Sequence, residues 1–118
     1  MMLELKNKKR GFSTNSIVCK NIFSQMKGLM FAPPLKKNQS VLLKFNKEKN
    51  IPIHMFFVFF PIDALWIDSN YKIVYIQRDI KPFTSHIDPK TSAIAVLETA
   101  QNQTKNLRIG DKLSANNL

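Results

Sequence analysis

The sequence predicts an α+β domain that is mainly antiparallel β-sheet, closes partly into a barrel and carries two short helices. Three observations favour this class. The chain has 118 residues, the size of a single domain. Short apolar or alternating stretches separated by turn residues recur about six times, a pattern typical of strands. Only two stretches have helical character, and both are short.

Residues 5–10 are polar and basic, which favours fraying. We therefore predict a basic, partly disordered N-terminal segment over residues 1–15. A single globular β-rich domain is expected over 16–114, and a frayed tail over 115–118. The β-branched run at 17–19 predicts the first strand of the domain.

A helical pattern follows this strand. Apolar residues recur at helical spacing between positions 22 and 30, and the pair Pro33-Pro34 ends the pattern. This predicts the first short helix. Its methionines either pack on the core or face a ligand, and the sequence favours the core.

Strand patterns dominate from Val41 onward. The most apolar stretch is 53–68, which is apolar on both faces and therefore predicts a strand covered on both sides. Pro61 lacks an amide donor and predicts a bend there. The aromatic run 56–60 contains no Lys or Arg, so we expect those rings in the core. Residues 71–78 alternate like an antiparallel return strand.

The C-terminal third predicts a long loop over 81–91 and a strand over 93–99. Thr99 is a candidate cap for the second short helix, which would end near position 106. Gly110 and Asp111 then form a structural turn into a last short strand. We expect a positive φ at Gly110, because a tight turn of this kind favours glycine.

Composition narrows the class of protein. One cysteine, Cys19, excludes an internal disulfide, and the charged N-terminus does not resemble a signal peptide. The longest apolar stretch is shorter than the roughly 20 residues that a spanning helix needs. These features predict a soluble, cytoplasmic protein with no membrane partner.

The net charge is +10, and residues 1–49 carry +9 of it. A basic half attracts nucleic acid, acidic lipid or an acidic protein. Compositional drift is the other explanation, because the chain is rich in Lys, Asn, Ile and Phe throughout. The sequence leaves both explanations open.

Four motifs occur in a characteristic order. They are Met-Lys-Gly-Leu-Met-Phe at 26–31, the aromatic stretch at 54–68, Ala-Val-Leu-Glu at 95–98 and Ile-Gly-Asp-Lys-Leu at 109–113. Together they resemble the prokaryotic domain of unknown function 192 family over residues 16–114, on its archaeal-like, cytoplasmic branch. The resemblance implies a small, barrel-like β-domain with short helices and no established activity.

Two carboxylates, Asp63 and Glu98, interrupt apolar strand patterns. We predict a small apolar pocket near His54, Met55, Asp63 and Trp66, because a few polar groups in an apolar setting are typical of ligand sites. No three- or four-ligand metal set, phosphate loop or nucleophile motif occurs, so no metal, cofactor or catalytic residue is predicted. The expected function is a non-enzymatic binding or accessory module for a small ligand or a protein. The alternative is a nucleic-acid-binding domain that uses the basic N-terminal half.

Overall fold

One seven-stranded sheet forms the body of the protein in a computed structural model, which describes residues 1–21 and 28–117. The strand order across the sheet is β5-β4-β6-β3-β2-β1-β7. The strands are β1 (Met2–Asn7), β2 (Phe12–Cys19), β3 (Gln39–Asn50), β4 (Ile62–Ile67), β5 (Ile73–Ile80), β6 (Ser92–Ala100) and β7 (Ser114–Asn117).

Two pairs of strands are hairpins, β1–β2 and β4–β5, joined by short turns. Strands β2 and β3 lie parallel, so the connection over residues 20–38 must return along the sheet. Strand β6 lies between β3 and β4, antiparallel to both. Strand β7 pairs with β1 at the far edge.

The predicted α+β class is wrong, because the described residues form strands, turns and loops but no helix. Most of the first predicted helix, residues 22–27, lies outside the described residues, and 28–31 form a turn. The second is replaced by the end of β6 and the turns over 101–106. Thr99 pairs with Ser40 and Asp63 across the sheet, so strand pairing prevails over its capping propensity.

The predicted partly closed barrel is also wrong, since the sheet remains open between β5 and β7. Strand β7 has four residues, and it pairs with β1 rather than with β5. A single isolated bridge, Lys72 to Lys112, connects the segments that precede these two edge strands. One such bridge does not make a continuous hydrogen-bonded ladder.

The core consists of two clusters, and alternate residues of each central strand belong to one cluster or the other. On β4, Ala64 and Trp66 belong to one cluster, and Leu65 and Ile67 to the other. On β3, Leu42 belongs to the second cluster. We call them the Trp66 cluster and the Leu42 cluster. Successive side chains of a strand point to opposite faces, so both faces of the sheet are covered.

Strand β4 is buried at every position, which confirms the predicted double coverage for residues 62–67. The preceding residues 53–60 differ from the prediction, because they form a looped segment with turns rather than a strand. Within it, Phe56, Phe57 and Phe59 are exposed, so the expectation that these rings are core is wrong. Pro61 lies immediately before β4, at the boundary where a residue without an amide donor is tolerated.

Both ends of the described chain contribute strands to the sheet. Residues 1–15, where the sequence favoured partial disorder, hold β1 and the first half of β2. Residues 114–117 form β7. Nothing in the described residues forms a helix of the length and apolarity that crossing a membrane requires.

Candidate functional site

A pocket of about 610 Å³ lies where β3 separates from β6. The two strands are paired up to Lys44 and again from Lys49, and their register shifts between these points. Residues 45–47 in this break face the pocket, together with 28–30 of the connection and 51–55 after β3. Its apolar walls are formed mainly by Leu29, Leu43, Ile51, Ile53, Met55 and Val58.

Glu98 lies in the wall of this pocket. It alternates on β6 with Val96, a member of the Trp66 cluster, and only 5% of the residue is exposed. Burial raises the pKa of the Glu98 carboxyl to about 7, because no donor or cation among the described residues offsets the desolvation of the charged form. Near neutral pH this group is therefore present both as a carboxylic acid and as a carboxylate.

Three exposed lysines, Lys20, Lys47 and Lys49, also border the pocket. The Lys49 ammonium lies 4.5 Å from the centroid of the Phe45 ring, which also lines the pocket. The site thus has apolar walls, one buried carboxyl group and a positively charged margin. This combination accommodates an amphiphile better than it accommodates a wholly polar molecule.

Two of the four predicted pocket residues line this site, His54 and Met55. Met55 is fully buried. His54 is exposed, and its Nδ1 accepts a hydrogen bond of 3.1 Å from the Phe56 amide. That bond fixes the orientation of the ring and leaves Nε2 for other partners.

The other two predicted residues, Asp63 and Trp66, do not line the pocket. Trp66 is buried, and its indole N–H donates to the Ile51 carbonyl oxygen at 2.7 Å. Asp63 shares a face of β4 with Leu65, a member of the Leu42 cluster, whereas the pocket lies by the Trp66 cluster. The structure therefore places His54 and Met55 at the pocket, Trp66 in the core cluster beside it, and Asp63 on the other face of β4.

Asp63 is fully buried, and both of its carboxylate oxygens accept hydrogen bonds. One accepts from the Asp79 amide at 3.0 Å, and the other accepts from the Thr104 hydroxyl at 2.7 Å. The amide is available because the β4–β5 register shifts near this point and Asp79 has a φ of +54°. Asp63 thus joins β4 to β5 and to the turns after β6.

Glu98 is the residue that the predicted pocket lacked. The sequence signal for it was present, since a glutamate interrupts an otherwise apolar strand. Assigning it to the pocket requires the break between β3 and β6, which depends on pairing between distant segments. No local pattern contains that information.

The predicted structural turn lies beside the start of β5. Gly110 has a φ of +98°, the positive value that the sequence predicts, and its N–H donates to the Ile73 carbonyl at 2.8 Å. The Asp111 carboxylate accepts from Arg10 Nε at 2.9 Å, and this hydrogen bond is the main reason that the pKa of Asp111 lies below its usual range. The turn therefore connects the β1–β2 hairpin to β5.

Within residues 1–21 and 28–117, no three His, Cys, Asp or Glu side chains converge into a candidate metal site. Asp88, which the sequence places beside His86, instead accepts hydrogen bonds from Asn50 Nδ2 and from the Lys90 amide. Its role in the structure is to support the turn before β6.

The fold has close counterparts among solved structures. A Sinorhizobium meliloti protein named as a candidate transcription regulator superposes with a TM-score of 0.89, at 21% identity, over 97% of this chain and 92% of its own. A protein of unknown function from Novosphingobium aromaticivorans gives 0.87, at 19% identity, over 97% of this chain and 84% of its own. At these identities the likeness concerns the fold.

Sequence relatives are found among archaea. A UPF0127 protein of Thermococcus sibiricus is 28% identical over 114 residues, which is 95% of this chain and 73% of the relative. A UPF0127 protein of Pyrococcus horikoshii is 31% identical over 88 residues, 73% of this chain and 74% of the relative. The family model DUF192, described as an uncharacterised ACR, matches residues 4–115. This match confirms the resemblance drawn from the four motifs, and the chain belongs to the DUF192 family.

Proposed function

We propose that this protein is a non-enzymatic module that binds a small amphiphilic ligand in the pocket beside β3. The observation that carries this proposal is Glu98, a buried carboxyl group in an apolar pocket wall, where no donor among the described residues lowers its pKa. Buried polar groups in folded proteins are normally hydrogen-bonded. A ligand that offers an acceptor to the protonated carboxyl would complete this group.

The hydrogen bonding of Asp63 contrasts with that of Glu98. Asp63 is equally buried, yet two donors of the protein satisfy it, as expected for a structural carboxylate. For Glu98, no described residue donates a hydrogen bond that offsets its desolvation, and the residue faces a volume within the range of roughly 300–1,000 Å³ that ligand pockets have. A buried carboxyl group with a raised pKa in the wall of a pocket is expected at a binding site rather than in a core.

The lysines at the pocket indicate the charge of the ligand's head group. Lys20, Lys47 and Lys49 are exposed at the margin of the pocket, where they would contact an anionic head group. The apolar walls would cover the body of the ligand. A medium-chain carboxylate has these properties and is a suitable probe.

The test is isothermal titration calorimetry with decanoate, decanol and decylamine. We expect decanoate to bind most tightly and decylamine least, because the margin is cationic. The variant Lys47→Glu/Lys49→Glu should weaken decanoate binding about tenfold or more, which corresponds to a loss of about 1.4 kcal/mol in binding free energy. The control Lys8→Glu/Lys9→Glu makes the same charge change in the exposed β1–β2 turn, and it should leave the affinity within about twofold.

Absence of decanoate binding at the pH of the titration would overturn the proposal, as would equal losses in the pocket variant and the control. Mass spectrometry of the protein under native conditions adds a second readout. A co-purified small molecule that Glu98→Gln releases would support the assignment of the pocket as the binding site.

The sequence-based alternative, nucleic-acid binding through the basic N-terminal half, stays a prediction. Lys8 and Lys9 lie in the β1–β2 turn, whereas Lys47 and Lys49 lie beside the pocket on β3. The basic residues of that half therefore occur on well-separated segments of the sheet. Fluorescence anisotropy with single- and double-stranded oligonucleotides at physiological salt decides this alternative.

A further inference from the structure

Four phenylalanines form an exposed cluster next to the pocket segments. They are Phe31, Phe57, Phe59 and Phe83, which we call the aromatic cluster. Phe31 is 67% exposed and Phe59 is 61% exposed, although phenylalanine gains from burial. Their rings contact one another, with centroids between 4.9 and 6.4 Å apart. A contiguous exposed apolar patch is typical of an interaction surface.

The backbone holds these rings outward in an unfavourable conformation. Phe31, Phe57 and Phe83 have φ values of +60°, +59° and +62°, a region that bulky residues rarely adopt. Hydrogen bonds keep them there: the Phe31 amide donates to the Phe57 carbonyl at 2.8 Å, and the Phe83 amide donates to the Met55 carbonyl at 3.0 Å. Strain of this kind concentrates at functional sites.

The three chain segments that carry the cluster have a net positive charge. These segments, 28–37, 53–60 and 81–87, contain no Asp or Glu. They contain Lys36, Lys37 and Lys81, all of which are exposed. An apolar patch on segments with only cationic charge complements an anionic surface that also offers an apolar phase.

Two other partners fit less well. In a symmetric dimer the same patch would face itself, and the lysines of both copies would approach without acidic partners. Single-stranded nucleic acid stacks successive bases on successive rings, but these four rings contact one another in a closed set. A lipid surface requires neither opposite charges on the protein nor rings that stand apart.

We propose that the aromatic cluster docks the protein on a membrane that contains anionic lipid, with the rings among the outer acyl chains and Lys36, Lys37 and Lys81 against the head groups. The absence of a spanning segment, on which the sequence-based expectation of no membrane partner rested, does not bear on this mode, since a peripheral protein needs none. The inference is independent of what occupies the pocket.

The docking surface adjoins the pocket along the chain. Leu29 and Met30 line the pocket and precede Phe31, while Val58 lines it between Phe57 and Phe59. The same short segments thus present one set of side chains to the pocket and another to the outside. A docked protein would hold this wall of the pocket at the lipid interface.

The experiment is co-sedimentation of the full chain with vesicles at physiological salt. One set of vesicles is phosphatidylcholine alone, and the other is phosphatidylcholine mixed with phosphatidylglycerol. We expect sedimentation with the mixed vesicles and little with phosphatidylcholine alone. The double variant Phe31→Asn/Phe59→Ser should bind at least about tenfold more weakly, because two rings leave the interface. Asparagine is chosen at position 31 because it tolerates a positive φ.

The matched control is Ile17→Ser/Ile109→Ser, which removes two exposed apolar side chains outside the cluster. It should bind within about twofold of the parent. Circular dichroism and thermal unfolding verify that both double variants are folded. Failure of the parent to sediment with mixed vesicles would overturn the proposal, as would equal losses in the two variants.

The remaining arms separate the other partners. Fluorescence anisotropy with single- and double-stranded oligonucleotides at the same salt should show weak binding at most. Micromolar or tighter binding that the aromatic variant abolishes would reassign the cluster to nucleic acid. A dimer in sedimentation velocity that this variant dissociates would reassign it to self-association. Since no arm contains decanoate, a failure here leaves the pocket proposal standing, and the reverse also holds.

Discussion

Asp63 and Glu98 are buried carboxylates on neighbouring central strands, and they differ in what they contact. Asp63 lies opposite Thr99, and Glu98 lies opposite Ala64, in the β4–β6 register. Asp63 accepts hydrogen bonds from an amide and a hydroxyl group. For Glu98, desolvation by burial is the main influence on the pKa of the carboxyl group. One carboxylate therefore stabilises the fold, and the other reduces stability when it is charged.

For Asp63, we expect Asp63→Ala to lower the free energy of unfolding by about 3 kcal/mol, because two buried donors lose their acceptor in the core. The comparison variant is Asp68→Ala. Asp68 accepts from the Asn70 and Lys72 amides in an exposed turn, and its loss should cost about 1 kcal/mol or less. Chemical denaturation measures both, and equal effects would show that Asp63 has no special structural role.

For Glu98, stability should depend on pH. Its pKa rises from 4.5 to about 7 on folding, so the folded state binds more protons than the unfolded state between these values. Its contribution to stability is therefore full below about pH 4.5, falls as the pH rises to 7 and is flat above. The total change is about 3 kcal/mol.

Glu98→Gln removes this titration. We expect the variant to gain stability relative to the parent between pH 5 and pH 8, as measured by urea denaturation across that window. Glu4→Gln, on a partly exposed position of β1, is the control and should show no such trend. A parallel pH profile for the parent and the Glu98 variant would contradict the buried position of this carboxyl group.

The sequence identified both carboxylates as unusual, and it assigned only Asp63 to a site. It assigned Asp63 to the pocket together with His54, although the two occupy different faces of the core. The partner of Asp63 is a backbone amide at an irregularity in β5, and a register shift has no local sequence signal. Side-chain type was predictable from the sequence, while the identity of the neighbours was not.

At the scale of elements, strands with a clear sequence pattern were predicted well, and segments with a mixed pattern were not. Strand β4 and its return strand β5 follow the sequence prediction. The apolar residues before Pro61 were assigned to the same strand, but the exposed rings of Phe57 and Phe59 show that hydrophobicity alone does not establish burial. Under our docking proposal, the apolar composition of residues 53–60 reflects a binding function rather than packing in the core.

The turn at 109–113 offers a direct test of an element. Gly110 has a φ of +98°, and no atom lies within 4 Å of a Cβ built at this position. We expect Gly110→Ala to destabilise the protein by about 1 kcal/mol through backbone strain alone. Thermal or chemical unfolding measures this, and Ile109→Ala next to it is the control. A neutral Gly110→Ala would show that the turn relaxes without the left-handed conformation.

At the scale of the whole molecule, the order of motifs was more informative than any single motif. Four weak motifs in sequence order were sufficient to indicate the family, which the match over residues 4–115 establishes. They did not reveal that β6 lies between β3 and β4, or that β7 joins β1. Pairing between distant strands depends on the complete set of competing partners, which a local pattern does not contain.

The structure also shows where the positive charges lie. The sequence could state only that residues 1–49 carry +9. The structure places Lys8 and Lys9 in a hairpin turn, Lys47 and Lys49 at the margin of the pocket, and Lys36 and Lys37 on the chain segment that follows Phe31. The second group borders the apolar pocket and the third lies on a segment that carries part of the aromatic cluster, which is why we infer amphiphilic and lipid partners in preference to a uniform polyanion.

The parallel pairing of β2 with β3 has a consequence for the time that folding takes. Only the β1–β2 and β4–β5 pairs join residues that are close along the chain, and such hairpins form within microseconds. The pairs that unite them, β2–β3, β3–β6 and β4–β6, bring together segments about 24, 55 and 33 residues apart. Chains dominated by such distant pairing fold in milliseconds to seconds. The two hairpins should therefore form early, and the pocket, which needs the connection and β3 in place, should be complete only at the slowest step.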